Sequence, residues 1–136
     1  MNIVREARTE EKLAVIEIWR ACELVKPQND PSKDFDLAQQ TSTSIVLVLE
    51  SNSQLIGTVM AGFDGHRGWF YYLGVLTEYQ SVGNGQLLVE SAEQWLVDKG
   101  APKTMLMVRH TNSKVIAFYE KLGYKLEDTH VMGKRF

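Results

Sequence analysis

The stretch Val75-Leu76-Thr77-Glu78-Tyr79-Gln80-Ser81-Val82-Gly83-Asn84-Gly85-Gln86-Leu87-Leu88-Val89-Glu90 passes from a strand end, through a short loop with two glycines, straight into an amphipathic helix. The first turn of a helix has backbone N–H groups without internal acceptors, and the macrodipole adds about half a positive charge there, so this junction suits an anion. Gly83 and Gly85 carry no Cβ and glycine adopts positive φ freely. The main chain of Gln80, Ser81, Val82, Gly83, Asn84, Gly85 and Gln86 can therefore curl around a pyrophosphate with several N–H groups converging. Gln86-Leu87-Leu88 supplies neither the third glycine of a dinucleotide fingerprint nor the Gly-Lys-Ser/Thr ending of a P-loop. A plain tight turn before a helix would use the same residues.

Upstream of the junction, Ile3 to Arg8 alternates weakly and reads as an opening strand. From Glu10 to Leu24 the residues Val15, Ile18, Trp19 and Cys22 fall on one helical stripe, with Thr9 placed to cap it. Cys22 on that stripe reads as a small core hydrophobe rather than a nucleophile. Lys26 to Lys33 is a loop with two prolines, and Asp34 to Gln40 forms a short second helix over the substrate. Ile45 to Glu50 and Leu55 to Phe63 pair as a hairpin across Ser51-Asn52-Ser53-Gln54, and a second reversal at Asp64-Gly65-His66-Arg67-Gly68 leads into Trp69 to Leu76.

Downstream, the helix from Gly83 buries Leu88, Ala92, Trp95 and Leu96, and stops at Gly100 with Pro102 beyond. Thr104 to Val108 then returns as a parallel crossover strand. Asn112 caps a last helix with the stripe Val115, Phe118, Tyr119 and Leu122, which Gly123 ends. Tyr124 to Glu127 and Val131 to Phe136 read as two closing strands. The expected fold class is α/β, a mixed and mostly antiparallel sheet flanked by helices and splayed where the fourth and fifth strands part.

With 136 residues, 44% of them hydrophobic, residues 1–136 are expected to form a single domain around one core. The net charge is −2 and no Lys/Arg run exceeds Lys134-Arg135, so neither nucleic acid nor an anionic membrane surface is an expected partner. One cysteine permits no internal disulfide, the N-terminus carries no charged-then-apolar leader, and no apolar run approaches the roughly 20 residues of a membrane span. Cytoplasm is the expected compartment, and no metal site is expected.

A second segment gives the glycine loop its context. Val108-Arg109-His110-Thr111-Asn112 leads into Ser113-Lys114-Val115-Ile116-Ala117-Phe118-Tyr119-Glu120-Lys121-Leu122-Gly123-Tyr124. Together with Gln80-x-x-Gly83-x-Gly85, this resembles the acetyl-CoA loop and the C-terminal signature of the GCN5-related N-acetyltransferases, the GNAT superfamily, with Val115 in place of the usual alanine. Asn29-Asp30-Pro31, Gly57-Thr58-Val59-Met60 and Asp64-Gly65-His66-Arg67-Gly68 resemble a small bacterial branch typified by YpeA. The resemblance implies acetyl-CoA as cosubstrate, held by the loop residues and by main-chain groups of Leu73 and Val75, with the Leu73 amide facing the thioester carbonyl. Gly74 between them suits a bulge that would free those amides. It further implies Asn112 as a partner of the pantetheine arm and Tyr119 as the acid that protonates the departing thiolate. Periodicity alone makes Tyr119 a packed core residue and Asn112 a helix cap.

The base is not evident. The strand reads Leu106-Met107-Val108-Arg109 where some relatives carry a glutamate, and methionine takes no proton. Strand alternation puts Trp69 and Tyr71 on the face of Leu73, and Asp64, His66, Glu78 and His110 remain as loop candidates. Without a base, an α-amine of pKa near 7.7–8.0 is favoured over a lysine near 10.4, because it costs only about 1–1.4 kcal/mol to neutralise at pH 7 rather than roughly 4.6. The expected function is an N-acetyltransferase that moves an acetyl group to a primary amine of a small molecule or peptide by direct transfer in a ternary complex. The alternative is a non-catalytic CoA-binding sensor or regulatory module, and a homodimer is compatible with either. Lys114 and Lys121 are candidates for the 3′-phosphate of CoA.

Overall fold

A computed structural model describes residues 2–136. Strand β1 spans Asn2–Glu6, helix α1 Lys12–Ala21, α2 Pro31–Gln40, β2 Ser44–Ser51, β3 Gln54–Phe63, β4 Gly68–Val75, α3 Asn84–Asp98, β5 Thr104–Leu106 and α4 Ser113–Lys121. The strands lie in chain order in one sheet, antiparallel from β1 to β4 and parallel between β4 and β5. The β4 to β5 pairing holds only from Gly68↔Thr104 to Phe70↔Leu106, whereas β4 runs on to Val75. The sheet is thus split between its fourth and fifth strands.

The β2–β3 hairpin closes through Asn52 and Ser53, both at positive φ (50° and 67°), the conformation a two-residue turn needs to match the strand twist. Helix α2 starts earlier than its apolar pattern suggests. Asp30 accepts from the Lys33 amide at 3.2 Å and Pro31 takes the first turn, where a missing N–H costs nothing. Thr9 is not the cap of α1. It opens a 3₁₀ turn in which the Glu11 carboxylate accepts the Arg8 amide at 2.8 Å. Glu11 also takes two hydrogen bonds from the Arg5 guanidinium, chiefly through which its pKa falls to about 2.

Apolar clusters cover both faces of the sheet. On one, Leu88, Val89, Ala92 and Leu96 of α3 and Tyr119 of α4 pack on Leu47, Val59, Ala61, Phe70 and Val75. On the other, Trp19 of α1 and Phe35 of α2 pack on Val46 and Val48. Each fully buried leucine contributes about 1.5–3 kcal/mol. Gly68 is required by this packing, since a Cβ there would lie 2.6 Å from Leu96 Cδ1. Among the described residues the one fully buried polar side chain, Thr58, accepts from Trp19 Nε1 at 3.4 Å.

The two closing strands do not form. Residues 122–136 carry no strand, and Leu126, Val131, Met132 and Phe136 are exposed. Isolated apolar residues among Lys, Glu, Asp and His bury too little to fix a register. Strand β5 ends at Leu106 rather than Val108, so it offers only three residues as a template.

Candidate active site

The loop between β4 and α3 is built from two left-handed residues. Ser81 has φ 65° and Gly83 φ 90°, and this alternation turns successive amides toward one concave side. The Gln80 amide is used by Thr77 O and the Leu87 amide by Gly83 O. Among the described residues, the amides from Ser81 through Gln86 donate to no protein acceptor. They sit at the N-terminus of the longest helix, where an anion meets both the donors and the dipole.

Side chains brace this loop rather than point into it. Gln80 Nε2 donates to Val75 O at 2.7 Å and ties the loop to the end of β4. Asn84 is buried. Its amide donates to Tyr79 O, and its carbonyl accepts from Asn2 of β1, both at 2.8 Å. Gly85 differs from its expected use. A Cβ there would lie 3.2 Å from Phe118 Cζ, so this glycine admits α4 against α3, while Gly83 faces open space and holds the turn. Val82 is exposed at the tip.

Strand β4 carries the anticipated bulge, but earlier than Gly74. Thr58 pairs with Gly74 and Met60 with Tyr71, so Tyr72 and Leu73 together oppose Val59, and Tyr72 adopts φ 54°. Gly74 serves packing instead. A Cβ on it would lie 2.9 Å from Cys22 Sγ and Leu24 Cδ1, so its absence lets the turn after α1 press on the strand. Burial there raises the Cys22 pKa. The extra residue changes the parity of the strand. Leu73 packs with Phe70 toward α3 and α4, whereas Tyr71 and Tyr72 both line a cavity on the α1/α2 side, so Leu73 and Tyr71 do not share a face. Among the described residues, no strand covers the β5 side of Leu73 and Val75 beyond Phe70.

Helix α4 places Tyr119 in the apolar cluster that includes Val75 and Leu73. The ring is buried, edge-on to Phe118 and Tyr124 at 5.1 and 5.4 Å. Tyr72, Tyr79 and Tyr124 each hydrogen-bond through the hydroxyl, whereas the side-chain hydrogen bonds among the described residues include none from Tyr119. It borders a groove of about 1090 Å³ with Leu106 and Val108, which none of Leu73, Val75, Asn112 or the loop residues Gln80 to Gln86 lines. Desolvation raises its pKa well above that of a free phenol, so it is protonated at neutral pH. Asn112 does cap α4, accepting from the Val115 amide at 3.4 Å. Lys114 and Lys121 are exposed on the same helix.

On the opposite side of the split lies a second cavity of about 770 Å³ between α2, the bulge and the chain after β5. None of the four loop candidates for a base borders this cavity or the groove beside Tyr119. Asp64 accepts the amides of His66 and Arg67 and Trp69 Nε1, contacts that hold its carboxyl below the usual range and make it a turn cap. The carboxylate that does border the cavity is Asp34, whose Oδ2 accepts from the Tyr72 hydroxyl at 2.6 Å. The sequence pattern puts its helix over the substrate but does not single out Asp34. An acid on the first turn of a short helix carries no motif, and its partner is exposed to it only by the bulge.

The Acetyltransferase (GNAT) family model matches residues 12–124. The chain belongs to the GNAT family. It is 43% identical over 121 residues to an acetyltransferase of Yersinia pestis (strain Pestoides F), covering 89% of this chain and 86% of that protein. Its fold matches that of the PaiA N-acetyltransferase from Thermoplasma acidophilum, solved in complex with coenzyme A, with a TM-score of 0.83 at 24% identity over 96% of this chain and 93% of that one. AAC(6')-Iy, solved with the bisubstrate analogue CoA-S-monomethyl-acetylneamine, aligns with a TM-score of 0.80 at 16% identity over 100% and 98%. This GNAT protein is an acetyl-CoA-dependent acyltransferase, and the split sheet with its flanking helices is the GNAT fold.

Proposed function

We propose that this acyltransferase moves the acetyl group to a primary amine, in one ternary complex, with the two substrates entering from opposite sides of the β4–β5 split. The observation that carries this reading is the run of unpaired amides from Ser81 through Gln86, lying at the end of a strand whose β5 side is open. Those amides hold the pyrophosphate of acetyl-CoA, and the main chain of Leu73 and Val75 receives the pantetheine arm and the thioester carbonyl. Asn112 has its Nδ2 available for the arm while its Oδ1 caps α4.

Tyr119 supplies the proton that sulfur takes up as the C–S bond breaks and the new C–N bond forms. Its raised pKa keeps the phenol protonated at neutral pH, as a proton donor to the leaving thiolate must be. The amine sheds a proton in the same reaction, and water in the 770 Å³ cavity can return it to the phenolate. The test is product analysis: the protein is incubated with acetyl-CoA and a panel of amino acids, peptides, polyamines and amino sugars, and thiol release is matched to acetylated product by mass. Amide-linked acetyl on a primary amine is expected. Acetyl found only on hydroxyl or thiol acceptors would overturn the assignment.

A further inference from the structure

The 770 Å³ cavity is mostly apolar and aromatic, with Leu24, Leu37, Met60, Phe70 and Met107 in its wall, yet it contains two opposite charges. Asp34 borders it from α2 and Arg109 from the segment after β5. The cavity is open, with Arg109, Leu37 and Met107 exposed, and the two charges do not pair with each other. Among the described residues Arg109 makes no ion pair, and Asp34 hydrogen-bonds only through Oδ2, to the Tyr72 hydroxyl. Tyr72 is itself fixed, because its ring stacks on buried Trp19 at 3.9 Å and 11°. The remaining oxygen of Asp34 is therefore held in a set direction with nothing bound to it.

We infer that Asp34, positioned by Tyr72, binds the acceptor's ammonium group and Arg109 binds an acidic group on the same molecule, so that the acceptor is a zwitterion with an apolar body. An α-amino acid of apolar side chain has this chemistry. The inference rests on the acetyl-transfer reading and names the acceptor class for that cavity. A simple amine would leave Arg109 unanswered, and a polycationic acceptor would place positive charge against it. Tyr72 is a positioning residue, since it acts through the Asp34 carboxylate.

The experiment compares leucine, leucinamide and 3-methylbutylamine as acceptors with acetyl-CoA, following thiol release. Leucine is expected to exceed both in kcat/KM by about tenfold or more, since a site built to bind a charged group discriminates against a ligand lacking it. Asp34→Asn should raise the KM for leucine about tenfold or more and leave the KM for acetyl-CoA unchanged. Arg109→Gln should abolish the preference for leucine over leucinamide. Tyr72→Phe keeps the ring on Trp19 and should raise the leucine KM by a smaller factor with kcat retained, a split that simple unfolding would not give. Equal use of the three acceptors, or a preference that survives Arg109→Gln, would overturn the inference. Turnover of polyamines or amino sugars without leucine would overturn it too and leave the acetyl-transfer reading standing; failure to acetylate any amine would defeat that reading instead.

Discussion

The loop before α3 and the cavity beneath α2 lie on opposite sides of the same split in the sheet, and they are built from different parts of the chain. The loop offers main-chain amides, and its side chains Gln80 and Asn84 turn inward to brace it. The cavity offers side chains, Asp34, Tyr72 and Arg109, on elements far apart in sequence. A backbone site recognises a group common to all molecules of one cosubstrate and tolerates changes in its exposed side chains. A side-chain site changes its ligand with each substitution.

The largest effect is expected at the residue proposed to donate the proton. Tyr119→Phe should lower kcat by about 10²–10⁴, the usual range for loss of a general acid, with CoA affinity nearly unchanged. The protein should stay folded, since no side-chain hydrogen bond among the described residues runs through the hydroxyl removed. An unaltered kcat would make Tyr119 a packing residue and hand protonation to solvent. Next in size is Val82→Glu. It adds a negative charge at the exposed tip without crowding a neighbour, and should weaken CoA by roughly 100-fold through repulsion at a few ångströms. CoA titration by calorimetry reads this directly. Gly85→Glu is the less informative choice, because it would strike Phe118 as well as repel phosphate.

Gly74→Ala tests the cavity side through its scaffold. The added methyl meets Cys22 and Leu24 at 2.9 Å, which should destabilise the protein by about 1–3 kcal/mol in urea unfolding. Cys22→Ala in the same chain should recover part of the loss, and strict additivity would show that the contact is not the cause. The smallest effect is expected away from both regions, at Glu11. Its folded pKa of about 2 is below that of the unfolded chain, so the stability it contributes is complete above about pH 4.5 and is lost as pH falls toward 2. In Glu11→Gln the pH dependence of melting over that window should flatten, with activity at neutral pH unchanged.

The sequence is most readable where one residue type has one physical reason. The apolar stripes locate α1, α3 and α4, the Ser51 to Gln54 turn locates the hairpin, and the glycines with the Asn112 to Tyr124 run locate the acyl-donor side. What is not readable depends on contacts between distant elements. The bulge at Tyr72 and Leu73 cannot be seen from a strand of continuous apolar and aromatic residues, and it hides both the parity of Tyr71 and the meeting of Tyr72 with Asp34. In sequence Gly74 suits a bulge and Gly85 a phosphate loop, and both prove to be places where Cys22 and Phe118 need room. The two closing strands fail for the opposite reason, since a weak local pattern has no adequate template beside it.

The bulge in β4 also governs which changes of length the chain can accept. Deleting Tyr72 would restore simple alternation and leave Gly74 and Val75 opposite Thr58 and Gly57, but it would remove the ring that stacks on Trp19 and the hydroxyl that holds Asp34. The loop would keep its anchor between Gln80 and Val75, while the cavity would lose part of its wall. An insertion at Asn52 and Ser53 would do none of this, because that turn is exposed at the far end of the hairpin. Insertions and deletions among descendants of this sequence should therefore collect in the β2–β3 turn and avoid the four residues Tyr71, Tyr72, Leu73 and Gly74.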